Sequence, residues 1–126
     1  MSLLSPITAA MGWHRYEHKS IEISIVDAAG DPQTLSGLNL SWKLLRNGTA
    51  LITKTTDDDI TIDGDDNEIA VIEIEETEYE YDAEAGTSEI VAGVYRHELW
   101  DIDSDILLSY GDAHLLPGTP PAEVAP

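Results

Sequence analysis

The stretch Leu38-Asn39-Leu40-Ser41-Trp42-Lys43-Leu44-Leu45-Arg46-Asn47-Gly48-Thr49-Ala50-Leu51-Ile52-Thr53-Lys54-Thr55 decides the fold class. Leu38, Leu40, Trp42 and Leu44 alternate with polar residues, the period of two that one buried sheet face imposes on a strand. Asn47-Gly48 follows, and then a second apolar and Thr-rich run over Thr49–Thr55. Asn-Gly between two such runs signals a β-hairpin, because both turn positions need positive φ.

Outward from the hairpin, strand patterns continue in both directions. Ser20–Asp27 places Ile21, Ile23 and Ile25 on one face and Glu22 and Ser24 on the other, and Ala28-Ala29-Gly30-Asp31-Pro32 reads as a turn. After Asp57-Asp58-Asp59, Ile60-Thr61-Ile62 is a short strand and Asp63-Gly64-Asp65-Asp66-Asn67 a polar turn. Glu68–Glu75 is a strand with Ala70, Ile72 and Ile74 inward. Thr77-Glu78-Tyr79-Glu80-Tyr81 either prolongs that strand in a changed register or belongs to a long acidic connection reaching Ala92. Gly93–Ile102 follows, with Tyr95, His97 and Leu99 on one face. A turn at Asp103-Ser104 leads into Asp105–Leu116, whose Leu107, Ser109, Gly111, Ala113 and Leu115 share a face. No helix pattern of useful length and no internal repeat occurs.

Short strands at regular spacing without helices argue a sandwich. Three features narrow it to an antiparallel immunoglobulin-like β-sandwich of about seven strands. Trp42 lies where such folds bury a core tryptophan, and Ala92-Gly93-Val94-Tyr95-Arg96-His97 has the form of a tyrosine corner. His97 then takes the place of the second disulfide cysteine, with Ile23 or Ile25 at the facing site. The expected organisation is an N-terminal extension over 1–17, a sandwich over 18–116 and a proline-rich tail over 117–126. In the extension Trp13 and Tyr16 are candidates for packing or docking, and the tail holds four of the six prolines.

Charge bounds the function classes. The chain has 126 residues, 25 Asp plus Glu against six Lys plus Arg, and a formal net charge of −19. Such a chain repels phosphates, so nucleic acid and anionic membrane surfaces are not expected partners. The charge is uneven: residues 1–56 hold five bases and four acids, while 57–126 hold 21 acids and one base, Arg96. An acidic, lysine-poor composition fits a halophilic host. The asymmetry fits one acidic face and one near-neutral face suited to docking, and the two readings are compatible. With no cysteine, disulfides, thiolate nucleophiles and thiolate metal sites are out. No segment has the pattern of a signal peptide or of a membrane span.

Chemistry-bearing motifs are sparse. Asp101, Asp103 and Asp105 set three carboxylates at alternate positions with Asp112 eleven residues after the first, a partial echo of a calcium loop. Position six is Ile106, where the turn needs Gly, so a solvated turn competes with a metal site. Asp57–Asp59 and Asp63–Glu68 read as exposed acidic loops. His97 and His114 on adjacent strands are the elements of an incomplete zinc site, and His14 and His18 lie in a stretch without helical pattern. No Gly-x-Ser-x-Gly, P-loop or His-Glu-x-x-His occurs, so neither catalysis nor a cofactor is expected.

From about Ile21 to Leu116 the sequence resembles small immunoglobulin-like domains of phage, prophage or archaeal-provirus tail and baseplate proteins. The residues that carry the resemblance are Val26-Asp27-Ala28-Ala29-Gly30-Asp31, Leu35-Ser36-Gly37, the Trp42 strand, Ile60-Thr61-Ile62-Asp63 and Gly93-Val94-Tyr95-Arg96-His97-Glu98-Leu99-Trp100-Asp101. The acidic segment 75–92 departs from the usual shorter connection. The resemblance implies a non-enzymatic assembly module, located in a virion or the cytoplasm, whose partners are other protein subunits, with further copies of itself as one alternative. The alternative is a cell-surface adhesion module, or a cation- or carbohydrate-binding one.

Overall fold

In the computed structural model of the chain, residues 7–8, 11–15, 17–27, 29–79 and 90–117 are described. They form strands β1 (Ile7–Thr8), β2 (Met11–His14), β3 (Lys19–Ser24), β4 (Leu40–Arg46), β5 (Thr49–Thr55), β6 (Ile60–Asp63), β7 (Ile69–Ile74), β8 (Gly93–Asp101) and β9 (Ile106–Leu116). One 3₁₀ turn, Glu76–Tyr79, follows β7.

The strands make two sheets. The larger has the order β1-β9-β8-β4-β5, with β2 also on β9; the smaller has the order β3-β7-β6. Strands β3 to β9 pair antiparallel throughout. Six of them reproduce the centre of the immunoglobulin arrangement, with β3, β7 and β6 facing β4, β8 and β9, and β5 is added at the edge beside β4. The β4–β5 hairpin turns at Asn47 and Gly48, with φ of 54° and 79°, as Asn-Gly requires.

Alternation sorts residues between the faces. Ile21 and Ile23 on β3, Leu40, Trp42 and Leu44 on β4, Ala70, Ile72 and Ile74 on β7, and Tyr95 and Leu99 on β8 join one buried core. His97, between Tyr95 and Leu99, is fully buried with them, and Ile23 and Ile25 are buried too. The Tyr95 hydroxyl donates to the Val91 carbonyl at 2.6 Å, four residues upstream, the closure that defines a tyrosine corner. Arg46 stacks over the Tyr95 ring, 5.3 Å from its centroid.

The structure corrects three expectations. Residues 7–8 and 11–14 are not an extension outside the sandwich. They are β1 and β2, and they pair parallel with β9. Trp13 on β2 is 2% exposed and belongs to the core, so the sandwich starts before residue 18 and its larger sheet is mixed. A tight turn cannot make a parallel pair, and here the chain supplies the connection by crossing nearly the whole domain between β2 and β9. On β9, Ser109, Gly111, Ala113 and Leu115 face inward as expected, but Leu108 is buried in place of Leu107. A bulge opposite Leu99/Trp100 shifts the register there by one residue, which exchanges faces. Third, Leu38 precedes the strand: β4 opens at Leu40, and the Leu38 amide donates to the Leu35 carbonyl in a turn.

Of the acidic connection, the beginning is the 3₁₀ turn, while residues 80–89 lie outside the described residues, as do Tyr16 and 118–126 of the tail. The ends of that connection are tied down. Trp13 Nε1 donates to the Tyr79 hydroxyl, the Ile90 amide to the Tyr79 carbonyl, and Arg15 to the Ile90 carbonyl. Lys54 faces inward from the edge strand β5 and is 4% exposed. Its ammonium reaches Asp59 Oδ2 at 2.8 Å and Glu78 Oε1 at 2.6 Å. Burial works to lower its pKa, and the two carboxylates overcome that and hold it above the usual lysine value.

Candidate functional site

The outer face of the larger sheet is built from rows that cross four strands. Thr53, Lys43, Glu98 and Tyr110 form one row, and Ala50, Leu45, Arg96 and Asp112 the next. Beyond them lie Ser41 and Trp100. Cross-strand partners stand on the same side of a sheet, so these side chains share one surface.

The charges on this surface form a chain of contacts. Arg96 Nε and Trp100 Nε1 both donate to Glu98. The Arg96 guanidinium lies over the Tyr110 ring, 4.6 Å from its centroid, close enough for a cation–π contact. Burial disfavours the Glu98 carboxylate, but the hydrogen bonds from Trp100 and Arg96 outweigh it and hold its pKa below the usual range. Glu98 therefore stays ionised and fixes the rotamers of Arg96 and Trp100.

Trp100 is half-buried beside a shallow cleft of about 320 Å³ lined by Ser41, Lys43, Leu45, Glu98, Trp100, Ile102 and Asp105. Exposed apolar side chains surround the same sheet, including Val94 on β8 and Ile102 in the β8–β9 turn. Large apolar groups that remain in water on a rigid sheet are the ordinary raw material of a contact surface.

Charge balance sets this face apart. Lys43 and Arg96 stand against Glu98 and Asp112, so the strand residues facing outward cancel in a chain of net −19. The smaller sheet presents Glu22, Asp63 and Glu73 outward. There Ser20 and His18 hydrogen-bond Glu73, which lowers its pKa. The near-neutral surface thus exists, but it is not the N-terminal half as such. It combines β4 and β5 with β8 and β9 from the acidic half of the sequence.

The residues singled out as metal ligands separate. Asp101 ends β8 on the buried side, and its Oδ1 has no hydrogen-bond partner among the described residues. Asp103 accepts from Asn39 Nδ2 at 2.8 Å. Asp105 is exposed, has φ of 54° and borders the outer cleft. Among the described residues no group of three metal-ligating side chains is gathered. His97 and His114 lie on opposite faces of one sheet, the first buried and the second exposed, so they cannot share a zinc ion. His14 Nδ1 is 3.0 Å from the Pro117 carbonyl, and His18 pairs with Glu73. Sequence reasoning passed over Trp100 and Tyr110 as a pair. Their signal was the complementary alternation: Arg96, Glu98 and Trp100 interleave with the inward Tyr95, His97 and Leu99.

No helix among the described residues is long and apolar enough to cross a membrane. No protein-family model and no curated protein matches the chain. Among solved structures, the chain is similar to one named "a putative glycoside hydrolase" from Bacteroides vulgatus, with a TM-score of 0.44 and 14% identity. The alignment covers 87% of this chain and 16% of that one, so this chain spans under a fifth of its length. A likeness at that level says nothing of this chain's chemistry.

Proposed function

We propose that this domain is a non-enzymatic assembly module that works by protein–protein contact through the outer face of the larger sheet. The observation behind it is the balanced charge of that face, with Trp100 and Tyr110 held by Arg96 and Glu98, in a chain of net −19. Aromatic and Arg anchors with few uncompensated charges are the composition of interface centres. The setting is a viral or proviral tail or baseplate, a reading that rests on the resemblance carried by Val26–Asp31 and Gly93–Asp101. A halophilic host fits the acidic remainder of the surface.

The test is capture of the products of neighbouring genes by the purified domain. The wild type retains a tail or baseplate subunit, and Trp100→Ala reduces retention at least about tenfold, the scale of a hot-spot truncation. Retention of no neighbour, or retention indifferent to Trp100, refutes the reading. A second reading follows from the cleft: about 320 Å³ beside an indole, with Ser41, Glu98 and Asp105 as polar groups, would seat one sugar ring. Quenching or enhancement of Trp fluorescence by a panel of oligosaccharides, lost in Trp100→Ala, would favour it over assembly.

A further inference from the structure

The cleft beside Trp100 is unequal at its two ends. Ser41 stands opposite Trp100 across β4 and β8, and Lys43 stands opposite Glu98, about 7 Å further along β4. Asp105 borders the other end, from the turn beyond Trp100. Glu98 is already engaged, because Arg96 and Trp100 donate to it and Lys43 is its neighbour on β4. The Asp105 carboxylate has no hydrogen bond or ion pair among the described residues. The cancellation of charge on this face holds for the strand residues and leaves Asp105 out. The cleft therefore keeps one uncompensated carboxylate, beside an indole fixed by its bond to Glu98 and beside the exposed Ile102.

We infer that the protein partner of this face anchors in the cleft through an arginine side chain, with its guanidinium on Asp105 and its stem along Trp100 and Ile102. This rests on the reading of the face as the contact surface. A carboxylate beside an aromatic ring suits a guanidinium twice over, through charge-assisted hydrogen bonds to the oxygens and through stacking on the ring. Lys43 repels a cation from the opposite end, so charge orients the side chain along the cleft. The size agrees, since about 320 Å³ lies at the lower end of ligand-pocket volumes and has room for one long side chain. The net charge of −19 draws a basic partner from a distance. The smaller sheet is acidic as well, but its strands Lys19–Ser24, Ile60–Asp63 and Ile69–Ile74 contain no aromatic residue. It offers attraction without a ring to stack on, and an ion pair in open water is worth little. A neutral or acidic anchor in the cleft would cover Asp105 and leave it unpaired.

The three tryptophans give the test its internal reference. In the full chain labelled with nitrogen-15, Trp13, Trp42 and Trp100 each contribute one indole N–H signal, and the first two side chains are buried. The probe is N-acetyl-arginine amide, and its control is N-acetyl-citrulline amide, which has the same shape without the charge. The arginine amide shifts the Trp100 signal saturably and leaves those of Trp13 and Trp42 in place. The citrulline amide binds at least about fivefold more weakly, the scale of one charge pair near a surface. Asp105→Asn weakens the arginine amide by a similar factor. Asn tolerates the φ of 54° at this position, so the variant keeps the turn. An equal response to the two amides overturns the inference, as does a Trp100 signal that ignores both or a response unchanged in Asp105→Asn. Capture of neighbouring gene products separates this from the reading it rests on. If Asp105→Asn retains a product as the wild type does while Trp100→Ala loses it, the arginine anchor falls and the assembly reading stands. If Trp100→Ala retains it too, both fall.

Discussion

Trp13 donates its indole N–H to the hydroxyl of Tyr79, 66 residues further along the chain, and both side chains are buried. The bond joins the parallel edge strand β2 to the turn that follows β7, so it ties one sheet to the connection leaving the other. Burial pushes the Tyr79 phenol up from 10.0 to about 12, although the bond from Trp13 favours the ionised form.

Tyr79→Phe keeps the ring and removes the acceptor, leaving a buried indole N–H unpaired. The expected loss is about 1–3 kcal/mol, read from urea titrations. The pH dependence has a fixed sign. Tyr79 is neutral in both states below pH 10, so its contribution is intact there. It drains as the pH rises from 10 towards about 12, because the unfolded chain ionises first. Wild-type stability should fall over that window more steeply than that of Tyr79→Phe; equal slopes would show that this phenol does not control the alkaline limb.

Trp42 is fully buried at the centre of the larger sheet. Trp42→Ala should cost about 3–5 kcal/mol, the range for deleting a large core aromatic. A loss under about 1 kcal/mol in urea would contradict its place in the core.

Much of this was legible because it is local. The alternation of Leu40, Trp42 and Leu44, the Asn47-Gly48 turn and the tyrosine corner each lie within a few residues, and each marks the structure it forms. The parallel edge was not legible. Met11-Gly12-Trp13-His14 has no pattern of its own, and it is held as a strand by Ala113–Leu116 on β9, about a hundred residues away. The bulge that exchanges Leu107 for Leu108 likewise has no local mark, since it is fixed by pairing with Leu99 and Trp100. The outer face of the larger sheet was half legible. Its residues were visible one strand at a time, but the charge split along the chain suggested a neutral half, whereas folding interleaves both halves into one neutral surface. The aspartates at 101, 103 and 105 looked like a set because their spacing echoes a calcium loop, whereas Asp101 is buried at the end of β8 and Asp103 and Asp105 are exposed in the turn that follows.

Lys54 offers a contrast between two substitutions. Lys54→Met fills the same space and frees Asp59 and Glu78, which are partly exposed and can take up water. The expected change is a loss of about 1–3 kcal/mol, since only the cation is removed and two neighbouring carboxylates, which partly reach water, are left without it. Lys54→Ala adds a cavity and should cost about 2 kcal/mol more, on the scale of deleting buried methylenes. Urea midpoints for the pair would separate packing from charge. If the Met variant lost as much as the Ala variant, the ion pairs rather than the stem would carry the stability.

Salt should stabilise the fold. Residues 57–126 carry 21 acids and one base, and their mutual repulsion is screened over about 10 Å at 0.1 M salt. Melting temperature should rise with NaCl and with choline chloride alike. A selective rise with millimolar Ca²⁺, lost in Asp103→Asn, would instead reveal a cation site that the resting turn does not show.

The inward turn of Lys54 also decides what the domain does not become. A sheet whose margin is open recruits further strands without limit, and that is how fibres start. One margin of the larger sheet is occupied by β1 and β2. The other, β5, commits a charged side chain to the interior, so a flat apolar strand laid alongside would meet a buried ammonium and its carboxylates instead of a dry zipper. Growth sideways is thereby discouraged at the β5 margin, where the ammonium and its two carboxylates stand in place of an apolar strip.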